Sequence, residues 1–238
     1  MNVDHRGWRR IVKLDPARPL SDERLAAVRS WGADAIVVGG SGGYGAEEVR
    51  MLLDRVRLKS PPGALGAPTA PEALATPVAL EISDARAVCP GFDLYLVPMV
   101  LNSSDVDWVM GHHQAAIKRY ADVIDWRKVV VEGYCVLNAD ATVARLSGAR
   151  ATMGIDDVVA FARLAEHLLK LPIFYLEYSG TYGPPEVVSA VRRVLSSTRL
   201  WYGGGIRTRA QAREMAALAD TIVVGNAVYE GHDPFGTS

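Results

Sequence analysis

Eight short apolar, β-rich runs alternate along the chain with stretches of helical periodicity, and this alternation constrains the fold most. The runs cover residues 11–14, 35–38, 78–82, 94–97, 129–134, 173–176, 200–202 and 221–224. Helical spacing of apolar residues fills most of the gaps, over 22–30, 46–58, 105–121, 156–169, 185–195 and 209–218. Ser21-Asp22-Glu23 and Asp156-Asp157 supply helix start signals. Strands that alternate with helices build parallel βαβ units. Eight of them in 238 residues favour a closed barrel over an open sheet. The expected fold class is α/β, a modified TIM (β/α)8 barrel forming a single domain over residues 1–238.

Two places break the regularity. Residues 59–76 contain Pro61, Pro62, Pro68 and Pro71 with two glycines, and read as a Pro/Ala-rich insertion. It follows a helix and precedes a strand, which places it on the face away from chemistry. Residues 83–93, between the third and fourth strands, are too short for a full helix. One outer helix is therefore expected to be replaced by a loop.

Charge and cysteine usage narrow the function classes. Lys and Arg total 26 against 27 Asp and Glu, and no basic run stands out, so no nucleic-acid partner is expected. The first eight residues lack the apolar core of a signal peptide, and no run of about 18 apolar residues exists. Cys89 and Cys135 lie in apolar segments without CxxC spacing and read as reduced, buried thiols. A cytoplasmic protein is the expectation.

Function in a barrel collects where strands end and the following loops begin. Strand one ends Lys13-Leu14-Asp15-Pro16, strand two Gly39-Gly40-Ser41-Gly42-Gly43 and strand three Glu81-Ile82-Ser83. Strand six runs through Tyr175-Leu176-Glu177-Tyr178-Ser179-Gly180. Strands seven and eight run into Gly203-Gly204-Gly205-Ile206-Arg207 and Gly225-Asn226. Paired glycine-rich turns there let backbone N–H groups approach a phosphate, which barrels commonly bind at that place. Residues 40–45 match GxGxxG, but no acid follows at dinucleotide spacing, so a phosphate or diphosphate cradle is the better reading. Lys13 and Asp15 are two residues apart and should share a face, where Lys can neutralise phosphate and Asp can ligate Mg²⁺. The plainer alternative is a surface ion pair. Glu177 ends an apolar strand, which is costly unless the carboxylate has partners or a task. It reads as the group that orients or deprotonates a substrate hydroxyl, or else as a buried structural carboxylate. His112-His113 lacks metal-ligand spacing and reads as helix surface or core, and Asp156-Asp157 reads as a helix cap. No HExxH, Walker A or GxSxG motif occurs.

Taken in order, Lys13-Leu14-Asp15-Pro16, Gly39-Gly40-Ser41, Pro90-Gly91-Phe92-Asp93-Leu94-Tyr95, Leu101-Asn102-Ser103 and the strand-six to strand-eight motifs resemble one family. It is that of the glycerol-1-phosphate prenyltransferases, which includes geranylgeranylglyceryl and heptaprenylglyceryl phosphate synthases. Glu132-Gly133-Tyr134-Cys135 and Asn102-Ser103 resemble the bacterial heptaprenyl branch more closely. The resemblance covers residues 8–229. It implies a barrel with one helix replaced by a loop, a homodimer, and a Mg²⁺ ion bound by Asp15 and Ser41. Lys13, Tyr175, Leu176, Glu177, Tyr178, Ser179, Gly180, Gly205, Gly225 and Asn226 would hold glycerol 1-phosphate. Glu177, Lys13 and Asp15 would be the catalytic set.

The implied reaction transfers a polyprenyl group, heptaprenyl in this branch, from its diphosphate to glycerol 1-phosphate. An ether forms and diphosphate leaves, a step of membrane phospholipid biosynthesis with peripheral contact to the bilayer. In the resembling family a bulky residue near Ala116 closes the prenyl groove, so the small Ala116 implies a long donor. The helix over 105–121 should border that groove. Another phosphate-binding barrel enzyme, an isomerase or aldolase, is the alternative on fold alone, and a non-catalytic binding barrel is a third.

Overall fold

The computed structural model describes residues 3–57 and 76–236. Eight parallel strands close into one barrel in chain order. They are β1 (Arg10–Leu14), β2 (Ala35–Val38), β3 (Val78–Glu81), β4 (Leu94–Val100), β5 (Val129–Val136), β6 (Ile173–Glu177), β7 (Arg199–Gly203) and β8 (Thr221–Val224). The helices are α1 (Asp22–Ser30), α2 (Ala46–Arg57), α3 (Gly111–Tyr120), α4 (Thr142–Ser147), α5 (Ile155–Arg163), α6 (Pro185–Arg192), α7 (Arg209–Leu218) and α8 (Asn226–Glu230). Between β3 and β4 only a 3₁₀ turn, Ala85–Ala87, takes the place of an outer helix. The insertion expected over 59–76 lies, apart from its last residue, outside the described residues.

Alternation along each strand makes two cores. Ile11, Val37, Leu96, Val130, Ile173 and Trp201 point into the barrel and pack on one another. Val12, Val38, Leu80, Leu176, Tyr202 and Val224 point outward to the helices. Each such side chain contributes roughly 1.5–3 kcal/mol by leaving water. Cys89 and Cys135 are buried and unpaired, and burial pushes the Cys135 thiol up to about 12.

Three helical expectations need correction. The stretch 105–121 is not one helix. Asp105 caps a 3₁₀ turn, Val106–Trp108, and the helix proper starts only at Gly111, where any Cβ would collide with the Asp107 carboxylate. The stretch 156–169 is α5 followed by a single π turn, Leu164–Leu168, which ends before Lys170 at φ 53°. Its cap position is held by Gly154, with the Asp157 carboxylate accepting from the Gly154 N–H at 3.1 Å, so Asp156 is a first-turn acid rather than the cap. The last helix, α8, has five residues.

The π turn places a structural carboxylate. Glu166 is 4% exposed and accepts from the backbone N–H groups of Ser196 at 2.8 Å, Ser197 at 3.3 Å and Thr198 at 3.2 Å, and from the Ser196 hydroxyl. Burial raises its pKa, but these donors outweigh burial and hold it down at about 2, against an ordinary 4.5. A depressed carboxylate stabilises the fold above its unfolded value and loses that contribution as pH falls through the folded one. The wild-type protein should therefore lose roughly 3 kcal/mol between about pH 4.5 and 2 through this group. Glu166→Gln should flatten that part of the acid slope in denaturant titrations at stepped pH. An unchanged slope would refute the assignment.

Candidate active site

Lys13 stands next to last in β1 with its side chain inside the barrel. Its Nζ lies 2.6 Å from Glu81 Oε1 and 3.4 Å from the Tyr134 hydroxyl, which itself donates to Glu81 Oε2 at 2.5 Å. Burial pushes the Lys13 ammonium down, but Glu81 and then Glu177 outweigh it and hold the group above the usual lysine value. Lys13 stays charged. Lys13 pairs with Glu81 rather than with Asp15, because β1 ends at Leu14 and Asp15 opens the turn that its carbonyl closes on the Arg18 N–H. Asp15 Oδ1 instead accepts from the Ala17 N–H at 2.9 Å, and the Tyr229 hydroxyl accepts from the Asp15 N–H at 2.8 Å.

The loop after β2 curls beside Asp15. The Tyr44 hydroxyl accepts from the Gly40 N–H at 2.8 Å and is 2.9 Å from Ser83 Oγ, which pins the loop's start. Gly40 packs so closely on the Asp15 carboxylate that a Cβ would sit 2.6 Å from its carbon. Ser41, Gly42 and Gly43 are exposed, and the two glycines take φ values of 112° and 87° with open space around them. Gly40 thus brings the start of this loop against Asp15, and Ser41 follows it directly in the chain.

Glu177 ends β6 and is 7% exposed. Its Oε1 accepts from the Ser179 N–H at 2.5 Å and the Ser179 hydroxyl at 3.0 Å. Ser179 takes φ 39°, unusual for a residue with a Cβ, and Gly180 follows at φ 84°. Such backbone strain persists where surrounding structure holds it and is common at reactive sites. Burial raises the pKa of Glu177, while Lys13 and Ser179 pull it back, and the net shift is upward. A carboxylate whose pKa is raised is a stronger base than an ordinary one, as proton abstraction requires.

The run 175–180 divides by strand alternation. Tyr175 is interior, its ring centroid 4.5 Å from that of Tyr134. Leu176 and Tyr178 belong to the outer core, with Tyr178 6.0 Å from the Tyr202 ring. Their side chains turn away from the chamber, so a part for Leu176 and Tyr178 in holding a ligand would fall to their backbone. Gly205 takes φ 55°, and a Cβ there would collide with the backbone of Thr181 and Tyr182, so the β6 and β7 loops depend on its bareness. Gly225 faces only the Lys13 carbonyl, 3.7 Å from a Cβ position. Asn226 Nδ2 lies 2.7 Å from a Cβ position on Gly180, and Asn226 Oδ1 accepts from Arg18 at 2.8 Å. The loops after β1, β6 and β8 thus meet at one corner, with the Arg18 guanidinium 3.7 Å over the Tyr229 ring.

Ala116 is half-buried on α3. His113, one turn earlier, has its ring nitrogens 3.0 Å from the Pro98 carbonyl and 3.1 Å from that of Val109, and docks the helix by donating to one of them. It is a structural histidine. Beside α3 the outward residues of β4, Tyr95, Val97 and Met99, are only half-buried, whereas those of β1, β2 and β3 are buried. The missing helix between β3 and β4 leaves this apolar strip uncovered.

Sequence reading placed Glu81 at a strand end without giving it a role, and it did not assign Glu132, Tyr134 or Arg18 to the site. The signal for the two acids was available, since each ends or interrupts an apolar run as Glu177 does. Arg18 carried none, because a single loop arginine is ordinary. Among the described residues no three potential metal-ligating side chains gather. Asp15 with Ser41 suits an ion held mainly by substrate oxygens, as Mg²⁺ usually is with only one or two protein carboxylates.

Known proteins match nearly the whole chain. The heptaprenylglyceryl phosphate synthase of Geobacillus thermodenitrificans is 52% identical over 228 residues, covering 96% of this chain and 89% of the relative. That of Lysinibacillus sphaericus is 48% identical over 228 residues, covering 96% and 93%. In fold, the chain is similar to (S)-3-O-geranylgeranylglyceryl phosphate synthase of Thermoplasma acidophilum, solved with its substrate sn-glycerol-1-phosphate. The TM-score is 0.78 at 22% identity, with 96% and 89% of the two chains covered. The PcrB family model matches residues 3–235, and the chain belongs to the PcrB family.

Proposed function

We propose that this protein transfers a polyprenyl group, heptaprenyl in the cell, from its diphosphate to the primary hydroxyl of sn-glycerol 1-phosphate. The glycerol oxygen bonds to the allylic C1, the bond from C1 to the diphosphate oxygen breaks, and the hydroxyl proton goes to Glu177. Diphosphate leaves, and the ether product enters membrane lipid synthesis. The observation that carries the reading is the meeting of a buried, donor-held carboxylate, Glu177, with the corner of Gly180, Asn226 and Arg18. Such a corner fits a phosphate, and the carboxylate fits the hydroxyl of the same small molecule.

Each residue has a stated task. Gly205, Gly225 and Gly180 hold the phosphate by backbone N–H groups, which gives positioning rather than chemistry. Lys13 supplies positive charge, and Tyr175 closes the floor. Asp15 and Ser41 would hold Mg²⁺ together with donor diphosphate oxygens, and the ion would neutralise charge on the leaving group. The half-exposed strip on β4 beside α3 shelters the prenyl chain. A homodimer and a peripheral contact with the bilayer belong to the same reading, with Val106, Met110, Val123 and Trp126 exposed on the segment around α3. No helix among the described residues is long and apolar enough to cross a membrane. The buried, unpaired Cys89 and Cys135 suit a reducing cytoplasm.

Incubation with labelled glycerol 1-phosphate, Mg²⁺ and prenyl diphosphates of graded length tests the proposal. Ether product and diphosphate in equal amounts are expected, and turnover of glycerol phosphate without a prenyl donor would overturn it. Chain length has its own test. Ala116→Trp should cut turnover of a 35-carbon donor by at least about tenfold and spare a 20-carbon donor, since a displaced chain loses burial of many methylenes. Equal loss of both donors would mean that the chain runs elsewhere.

A further inference from the structure

A further ionisable side chain lies inside the barrel, and nothing pairs with it. Glu132 is two residues before Tyr134 on the same interior face of β5 and is 0% exposed. Neither carboxyl oxygen has a hydrogen-bond partner among the described residues. Its register neighbours are Pro98 on β4, which has no N–H, and Ile173 on β6. The ionisable groups facing it are Glu81 from β3, Lys13 from β1 and Glu177 from β6, with Tyr134 and Tyr175 beside them. Lys13 is the one cation among these groups, and it is committed to Glu81 at 2.6 Å.

An ionised carboxylate in that place would lack both donor and counter-ion, which is the most costly state for a buried acid. A side chain of apolar atoms would fill the same space without orphaned oxygens, so folding alone gives no reason for an acid. We propose that Glu132 is a positioning residue that works as a neutral acid, keeping the chamber's negative charge low enough for Lys13 to attract phosphate-bearing substrates. With Glu132 neutral, one ammonium faces two carboxylates. With Glu132 ionised it would face three, and the added charge would repel both substrates. Burial first, and Glu81 second, push the Glu132 pKa well above the usual carboxylate range, in the direction this role requires. Rising pH removes the proton, and affinity for phosphate should fall with it.

The role rests on the function proposed above, yet one measurement is independent of that function. In a protein labelled with ¹³C at glutamate side chains, one carboxyl should keep its protonated chemical shift at neutral pH, and Glu132→Gln should abolish that signal. The second measurement is the KM for glycerol 1-phosphate against pH. In the wild-type enzyme KM should rise about tenfold on the alkaline side, with kcat changing less, as expected for one added charge nearby. In Glu132→Gln the KM should stay flat over the same range. Parallel KM curves, a folded Glu132→Gln inactive at every pH, or no protonated carboxyl at neutral pH would each overturn the role. If the glutamine variant does not fold, Glu132→Met gives the same comparison, and the wild-type spectrum decides without any variant. Failure of the wild-type enzyme to turn over glycerol 1-phosphate would instead sink the function itself and leave the spectrum unaffected.

Discussion

Glu177→Gln should lower kcat by roughly 10²–10⁴ while leaving the barrel folded, the loss expected when a general base is removed. Glutamine keeps the size of the side chain and an oxygen that can accept from the Ser179 N–H and hydroxyl, so the strained turn at Ser179 keeps its anchor. What it cannot do is take a proton. The KM for glycerol 1-phosphate should change little, because the phosphate is held by backbone N–H groups and not by the Glu177 carboxylate. The pH profile supplies a second signature. Burial raises the Glu177 pKa, so activity in the wild type should climb as pH rises through that elevated value and the carboxylate forms. In the glutamine variant this acid limb should vanish. A variant with near-normal turnover, or with the limb intact, would make Glu177 a structural carboxylate that serves only to fix Ser179.

The second large effect concerns Asp15. Asp15→Asn should leave the fold intact, because asparagine can still accept from the Ala17 N–H and fits against Gly40. It removes the negative charge. Loss of groups that merely support a metal ligand costs about 10–100-fold in metal affinity, so loss of the ligand's own charge should cost at least that. The Mg²⁺ concentration for half-maximal rate should rise accordingly, and excess chelator should silence the wild type. Gly40→Ala offers an independent route to the same result, since its Cβ would displace the Asp15 carboxylate from 2.6 Å away. Both variants should show normal thermal unfolding and the same raised Mg²⁺ requirement. Full activity in chelator would remove the metal from the mechanism.

Much of the scaffold was legible because its signals are local. The residues 35–38 and 221–224 match β2 and β8 to the residue, and 22–30 and 209–218 match α1 and α7. Their caps, Ser21 and Thr208, accept hydrogen bonds from the N–H groups of Arg24 and Gln211, neighbours in sequence. The absent outer helix was equally readable, since residues 83–93 are too few to form one. Where a helix has competing local interactions, legibility failed. Gly111 against Asp107 breaks the stretch after β4, and only a structure shows that this glycine's missing Cβ is spatially required. Periodicity there is ordinary.

Within the site, position at a strand's end was readable and direction was not. Lys13, Asp15, Glu177, Gly205 and Gly225 all lie at the barrel face where strands end, because closure in chain order brings every such end to one rim. Which way each side chain points depends on the pleat, so Tyr175 enters the chamber while Leu176 and Tyr178 leave it. Which groups pair depends on contacts that no short window contains. Lys13 meets Glu81 across 68 residues of sequence, and Arg18 meets Asn226 across 208. Periodicity and turn chemistry act over a few residues, and they were enough to name the barrel and its reactive rim. The partner of each charge is chosen by barrel closure, which brings β1 beside β8 and turns distant acids toward one lysine, and so it belongs to the tertiary structure alone.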